Sequence, residues 1–215
     1  MRRGADVARS YGLHVAEDGE VRGVVELQAD NGDWIVALSC AACHSSADDD
    51  GVYVPGLSNP ELKLAELLGA PVFPTATMDV TSDGIWNPVR PSDLRPIRYQ
   101  ARLHHTGNLG NGRIARMVRI ETLIASGSEF ETRPDRQVVA SIALYLESLA
   151  DALPEPEWES EGGSAFRSTC AGCHRGDELA GPPVDVGIVG TDPAATMGSS
   201  RGTGGYRAPS LRGVT

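Results

Sequence analysis

Two copies of one pentapeptide organise this sequence, Cys40-Ala41-Ala42-Cys43-His44 and Cys170-Ala171-Gly172-Cys173-His174. Together they use all 4 cysteines of the chain, so no thiol is left for another role. Two thiols three positions apart can each form a thioether with a vinyl group of one haem, and the adjacent histidine can then bind the iron. The pattern therefore predicts two covalently bound haem c groups, with His44 and His174 as the proximal iron ligands.

Zinc binding and thiol redox chemistry are the alternative uses of such cysteines. Zinc ribbons usually place their two cysteine pairs roughly 15 to 20 residues apart, whereas Cys43 and Cys170 are separated by more than half of the chain. A redox dithiol or a structural disulfide gives no reason for a histidine at the fifth position of both copies. Covalent haem attachment is the interpretation that uses every residue of the motif.

Composition limits the partners and the compartment. The chain has 215 residues and a formal charge of −10, which makes nucleic acid an unfavourable partner. No apolar run approaches the roughly 18 to 20 residues of a membrane span. The basic start Met1-Arg2-Arg3 has no apolar segment behind it, so it does not resemble a signal peptide. Because c-type haem is attached outside the cytoplasm, we expect a periplasmic or extracellular protein, in which a signal precedes residue 1 or has been removed.

The pattern of apolar residues predicts a small β element followed by helices. Residues 11–39 are rich in valine and leucine and contain Asn31-Gly32, a sequence typical of a type I′ hairpin turn. Apolar residues recur at helical spacing further along. The predicted helices span residues 60–69, 112–126, 134–150 and 162–169, of which the last leads into the second motif.

These elements predict a mainly α fold of two cytochrome c-like haem domains with a small N-terminal β-hairpin element. Residues 1–38 form the β-rich extension, and residues 39–150 form the first haem domain. Residues 151–161 are rich in proline and acidic residues and form a linker. Residues 162–215 form the second haem domain.

The region around the second motif carries a resemblance to known families. The spacing Gly162-x-x-x-Phe166-x-x-x-Cys170 resembles the helix before the haem in small c-type cytochromes, where the glycine allows close packing and the phenylalanine lies near the haem edge. With the two motifs, the closing run 205–214 resembles the bacterial di-haem cytochrome c peroxidase and MauG superfamily over residues 39–215. The resemblance implies one haem per domain and makes a bound calcium ion possible. Relatives continue beyond the point that matches Thr215, so the second domain is expected to be incomplete here.

The resemblance also raises the question of the distal iron ligands. In relatives the distal ligand of the second haem often comes from sequence beyond this point, and Met197 is the candidate within the chain. An open site, water or a ligand from another chain are the alternatives. For the first haem the candidates are His104, His105 and Met78, whereas Met117 fits a core position of its helix.

Charge is unevenly distributed along the sequence. The segment from residue 90 to residue 119 contains seven arginines and a single acidic residue, Asp93. Arginine binds carboxylates through two parallel hydrogen bonds, so Arg95 and Arg98 are candidate partners of the haem propionates. A solvated basic face is the alternative. Acidic residues predominate in residues 121–161, and such a dipolar surface suits docking to a redox partner protein.

The predicted function is single-electron transfer between redox partners by a di-haem c-type cytochrome. A di-haem peroxidase that reduces hydrogen peroxide is the first alternative. It requires an acid or base near an open coordination position, and the candidates are Glu61, Asp79, Asp83 and His105. A subunit of a larger assembly with other cytochrome chains is the second alternative.

Overall fold

The computed structural model describes residues 2–67, 90–127, 132–198 and 202–214. Their contacts define two compact units. The first unit holds residues 2–67 and 90–94, and with them the first pentapeptide. The second unit holds the described residues from 95 onward and the second pentapeptide. Residues 151–161, the predicted linker, lie within the second unit, and the division of the chain into haem domains stays a prediction.

The first unit combines short helices with two hairpins. Its elements are α1 (Arg2–Ser10), β1 (Val24–Gln28), β2 (Trp34–Leu38), α2 (Cys40–Cys43), β3 (Ser45–Ala47), β4 (Tyr53–Pro55) and α3 (Leu64–Leu67). Strands β1 and β2 pair in antiparallel register, as do β3 and β4. Of the helix predicted for residues 60–69, the described part is helical at α3, and a turn precedes it.

The predicted hairpin at Asn31-Gly32 is confirmed, but its predicted turn type is wrong. A type I′ turn needs a positive φ at both central residues, and here only Gly32 has one, with φ of 87°. The backbone N–H of Ala29 donates to Asp33 O at 2.8 Å, so the two residues enclose a longer loop. Glycine in the left-handed region is typical of such three-residue loops.

The core of the first unit includes a residue of the pentapeptide. Ala8, Leu13, Ala42 and Leu62 are buried together, and Ala42 is 1% exposed. Gly23 packs against this point with φ of 82°, and a Cβ placed on it would lie 2.4 Å from Ala42 N. The α2 turn therefore packs directly against the backbone of Gly23 and the apolar core of the first unit.

The second unit begins with a 3-10 helix at Arg95–Tyr99 and the short strands β5 (Arg102–Leu103) and β6 (Leu109–Gly110). Two longer helices follow and pack together, α4 (Arg113–Gly127) and α5 (Arg136–Ser148), with a second 3-10 helix at Leu149–Ala152. The remaining elements are α6 (Glu161–Thr169), β7 (Pro183–Asp185), α7 (Val186–Val189), α8 (Ala194–Met197) and β8 (Gly205–Arg207). Strand β8 pairs with β7 in antiparallel register.

The helices predicted at 112–126, 134–150 and 162–169 are confirmed as α4, α5 and α6, but their contacts differ from expectation. In α4 the buried residues are Ala125 and Arg116, and the Arg116 guanidinium donates to Glu147 at 2.9 Å. In α6 the close approach falls one residue later than predicted. A Cβ on Gly163 would lie 2.5 Å from Trp158 O, whereas Gly162 has only Ser160 Oγ nearby.

The prediction of a mainly α fold with two cytochrome c-like domains is wrong. The structure is 38% helical and 17% strand, and its described residues contain four two-stranded sheets. The 25 glycines and 14 prolines explain the difference, because both residue types end helices and favour turns. Within the described residues, no helix has the length and apolar character required to cross a membrane.

Candidate haem sites

The first pentapeptide forms a single helical turn. The backbone N–H of His44 donates to Cys40 O at 3.0 Å, which closes the turn over the two cysteines. Asn59 fixes the turn from outside, because its side-chain Nδ2 donates to Ala42 O at 3.1 Å and its backbone N–H donates to Cys43 O. Both thiols are free; Cys40 is exposed and Cys43 half-buried. Burial, together with the charge of Cys40, raises the pKa of the Cys43 thiol.

The imidazole of His44 is held by a backbone carbonyl. Its Nδ1 lies 2.8 Å from Ser92 O, 48 residues later in the sequence. A carbonyl oxygen can only accept a hydrogen bond, so Nδ1 carries the proton and the lone pair of the neutral ring is on Nε2. Burial lowers the pKa of His44, against opposing effects of the Ser92 hydrogen bond and Asp93. His44 therefore favours the neutral form that binds metal ions through Nε2.

The second pentapeptide repeats this arrangement in the second unit. Helix α6 ends at the motif, and the backbone N–H of His174 donates to Cys170 O at 2.9 Å. The Nδ1 of His174 lies 2.8 Å from Pro209 O and 3.2 Å from Leu179 O. Both oxygens are acceptors, so the proton again lies on Nδ1 and the lone pair on Nε2.

A cavity of about 300 Å³ opens beside the second motif. Most of its lining is apolar, and its polar lining residues are Cys173, His174, Tyr206 and Arg207. The lining residues are Cys173, His174, Val184, Ile188, Val189, Tyr206, Arg207, Ala208 and Pro209. An apolar cavity with a few convergent polar groups is typical of cofactor sites.

The two carbonyls that hold the histidines belong to matching segments, which the sequence interpretation missed. Residues 90–95 and 207–212 both follow the pattern Arg-x-x-x-Leu-Arg, and the carbonyl comes from the third position of each. The leucine of each copy bonds to the chain that follows its motif, since Leu94 N donates to Gly56 O and Leu211 N donates to Leu179 O. The repeated hexapeptide, once after each motif, is the signal that could have revealed these contacts.

The two histidines predicted as distal ligands of the first haem lie in the unit of the second motif. Both His104 and His105 belong to the second unit. His104 has φ of 65° and its Nδ1 lies 2.7 Å from Asn108 Oδ1. Burial lowers the pKa of His105, with further contributions from Arg207 and His104. Their role as ligands stays a prediction.

The methionines weighed as iron ligands differ in their surroundings. Met197 ends α8 and is 70% exposed. Met117 lies half-buried in α4. Met78 falls outside the described residues, as do the acid and base candidates Asp79 and Asp83. Glu61 is exposed and its backbone N–H donates to Asn59 Oδ1.

The predicted haem-edge residues contact other protein groups. Phe166 packs edge-on against Trp158, with ring centroids 5.8 Å apart. Arg95 donates to Gly213 O at 3.2 Å, and Arg98 pairs with Asp151 and donates to Tyr99 Oη. Their contacts with haem propionates stay predictions.

Ion pairs join the arginine-rich segment to the acidic segment within the second unit. Arg98 pairs with Asp151, and both Arg113 and Arg116 lie within 3.5 Å of Glu147. These ion pairs bring together charges that are far apart in the sequence. They reduce the separation of positive and negative charge on which the predicted docking surface depends.

In the described part of the chain, no three His, Cys, Asp or Glu side chains converge as a metal-binding group. Calcium binding stays a prediction. No protein-family model matches the chain, and no curated protein or solved structure is significantly similar to it.

Proposed function

We propose that the chain is a di-haem c-type cytochrome that transfers single electrons between redox partner proteins. The observation that carries this proposal is the shared geometry of His44 and His174. Each histidine follows two free thiols and donates Nδ1 to a backbone carbonyl. This leaves Nε2 available to iron in both motifs.

The residues at both motifs fit a covalent haem. Cys40 and Cys43 lie on one helical turn with unpaired thiols, as two thioethers to one macrocycle require. In the second unit, Cys173 and His174 line the same apolar cavity. When bound, haem supplies a one-electron couple between ferric and ferrous iron.

The protein's own part is to orient the ligands and set their basicity. A histidine whose Nδ1 donates to a carbonyl is fixed in tautomer and ring orientation, and its Nε2 becomes a stronger donor to iron. Ser92 O has this role for His44, and Pro209 O has it for His174. Because both acceptors are backbone atoms, the orientation depends on the segments 90–95 and 207–212 rather than on a side chain.

Spectra of the purified ferric protein test electron transfer against peroxidase activity. Electron transfer predicts two low-spin haems whose absorption is unchanged by hydrogen peroxide or cyanide. A high-spin component that reacts with peroxide would overturn this function in favour of the peroxidase. A protein without covalent haem would overturn both.

A further inference from the structure

Arg207 occupies an unusual place in the second unit. Arg207 lines the same cavity as His174. Its Nε donates to His104 O at 2.9 Å, its backbone N–H donates to His105 O, and its guanidinium donates to Gln100 Oε1. Burial lowers the pKa of Arg207 to about 10, which is still high enough for the guanidinium to be charged at neutral pH.

The described partners of this charge are neutral. Two buried arginines of the second unit pair with carboxylates: Arg116 with Glu147 and Arg212 with Glu155. Among the ion pairs between described residues, none includes Arg207. Charged groups that are withdrawn from water are normally paired, so a half-buried guanidinium beside a cavity favours an anionic group in the cavity's occupant.

We propose that Arg207 is the carboxylate-binding residue of this cavity, and that its ligand is a propionate of the haem attached to Cys170 and Cys173. This inference rests on the proposed function. Haem carries two propionates, and the planar guanidinium matches a carboxylate with two parallel hydrogen bonds. Arg207 is also two residues before Pro209, whose carbonyl holds His174. One short segment thus orients the iron ligand and presents a cation to the same cavity.

The repeated hexapeptide supplies a comparison residue. Arg90 stands two residues before Ser92, at the position that Arg207 has before Pro209. Arg90 is exposed, whereas Arg207 is half-buried. An exposed charge is screened by water and salt, so Arg90 is expected to affect haem potentials less than Arg207 does.

The cation of Arg207 should favour the reduced haem, because reduction adds an electron beside a positive charge. Arg207→Gln is therefore expected to lower the midpoint potential of the second haem. We expect about a tenfold change in the reduction equilibrium constant, or about 59 mV for one electron. Arg207→Lys keeps the charge but loses the paired donors, and should shift the potential by less.

Redox titration of Arg207→Gln, Arg207→Lys and Arg90→Gln tests this inference, with the haem count of each variant measured by denatured mass. The expected result is a lowered potential for one of two haems in Arg207→Gln and a smaller shift in Arg90→Gln. If both haems are bound and Arg207→Gln leaves both potentials unchanged, the inference is overturned and the proposed function stands. If the unaltered protein binds no haem, the proposed function itself fails.

A vibrational measurement covers the case in which Arg207→Gln does not fold. The bending vibrations of haem propionates respond to hydrogen bonding and can be compared by resonance Raman spectroscopy in the unaltered protein and Arg207→Lys. A changed propionate vibration in Arg207→Lys supports the inference. Identical propionate vibrations and identical potentials in these two proteins would overturn it.

Discussion

In the first unit the Cys-x-x-Cys-His turn rests on an apolar core, whereas in the second unit it lines a cavity. Ala42 of the first motif is 1% exposed, while Gly172, two residues into the second motif, is exposed. The histidine geometry is nevertheless the same, with Nδ1 2.8 Å from a backbone carbonyl in both units. The surroundings of the two motifs differ and the hydrogen bond of the imidazole does not, so this shared hydrogen bond is the feature on which the proposed function rests.

The supports of the two turns also differ. The first turn is held by the buried side chain of Asn59, which bonds to Ala42 O. The second is approached by Gly181, whose added Cβ would lie 2.0 Å from Cys173 O. Substitutions at these supports should therefore affect one unit and leave the other intact.

The largest effect is expected at Gly23. Its φ of 82° and its approach to Ala42 N leave no space for a side chain. Gly23→Ala should cost about 3 kcal/mol of unfolding free energy or more and should reduce haem attachment at Cys40 and Cys43. Denaturant unfolding and denatured mass measure these two effects.

Gly19→Ala is the matched control for Gly23→Ala. Gly19 has φ of 88° in the same unit, but nothing lies within 4 Å of its added Cβ. Its substitution should cost only about 1 kcal/mol and leave both haems attached. Equal effects of the two substitutions would show that backbone strain, and not support of the motif, is responsible.

A somewhat smaller effect is expected at Gly181, where the contact is close but φ is not positive. Gly181→Ala should cost about 2 kcal/mol and reduce attachment of the second haem alone.

Gly172→Ala gives the second motif the Cys-Ala-Ala-Cys-His sequence of the first, and its added Cβ has open space. This control should change stability by less than about 0.5 kcal/mol. Loss of the first haem in Gly181→Ala would contradict the independence of the two supports.

The smallest effect concerns the acid stability of the second unit. Arg212 donates to both carboxylate oxygens of Glu155, and this hydrogen bonding lowers the pKa of Glu155 from its ordinary value of 4.5. A carboxylate with a lowered folded-state pKa stabilises the fold above its unfolded pKa, and the contribution is lost as the pH falls below that value. Glu155→Gln should therefore flatten the loss of stability below about pH 5.

Thermal unfolding between neutral pH and pH 3 measures this dependence. Glu159→Gln removes an exposed carboxylate from the same acidic stretch and serves as the control. A profile for Glu155→Gln that matches the profile of the unaltered protein would show that the Arg212 contact contributes nothing to acid stability.

Local structure could be predicted from spacing in the sequence, whereas the long-range contacts, which only the repeated hexapeptide signals, were missed. The hairpin at Asn31-Gly32 and helices α4, α5 and α6 follow from spacing and turn residues within a few positions. The contact of His44 with Ser92 joins residues 48 apart, and that of His174 with Pro209 joins residues 35 apart. Apolar periodicity contains no information about such contacts.

Errors in the fold prediction have a similar origin. The apolar pattern of α4 suggested a core of larger aliphatic residues and Met117, but its buried residues are Ala125 and Arg116, whose charge is paired with Glu147. The grouping of His104 and His105 with the second motif depends on hydrogen bonds that Arg207, about 100 residues later, donates to their backbone carbonyls. Only the structure brings these residues together.

The most direct test of the central claim is the denatured mass of the purified protein and of two double variants. The unaltered chain should carry the added mass of two haems. Cys40→Ala/Cys43→Ala and Cys170→Ala/Cys173→Ala should each carry one. A polypeptide mass with no addition, and four thiols that react with an alkylating reagent, would contradict the account.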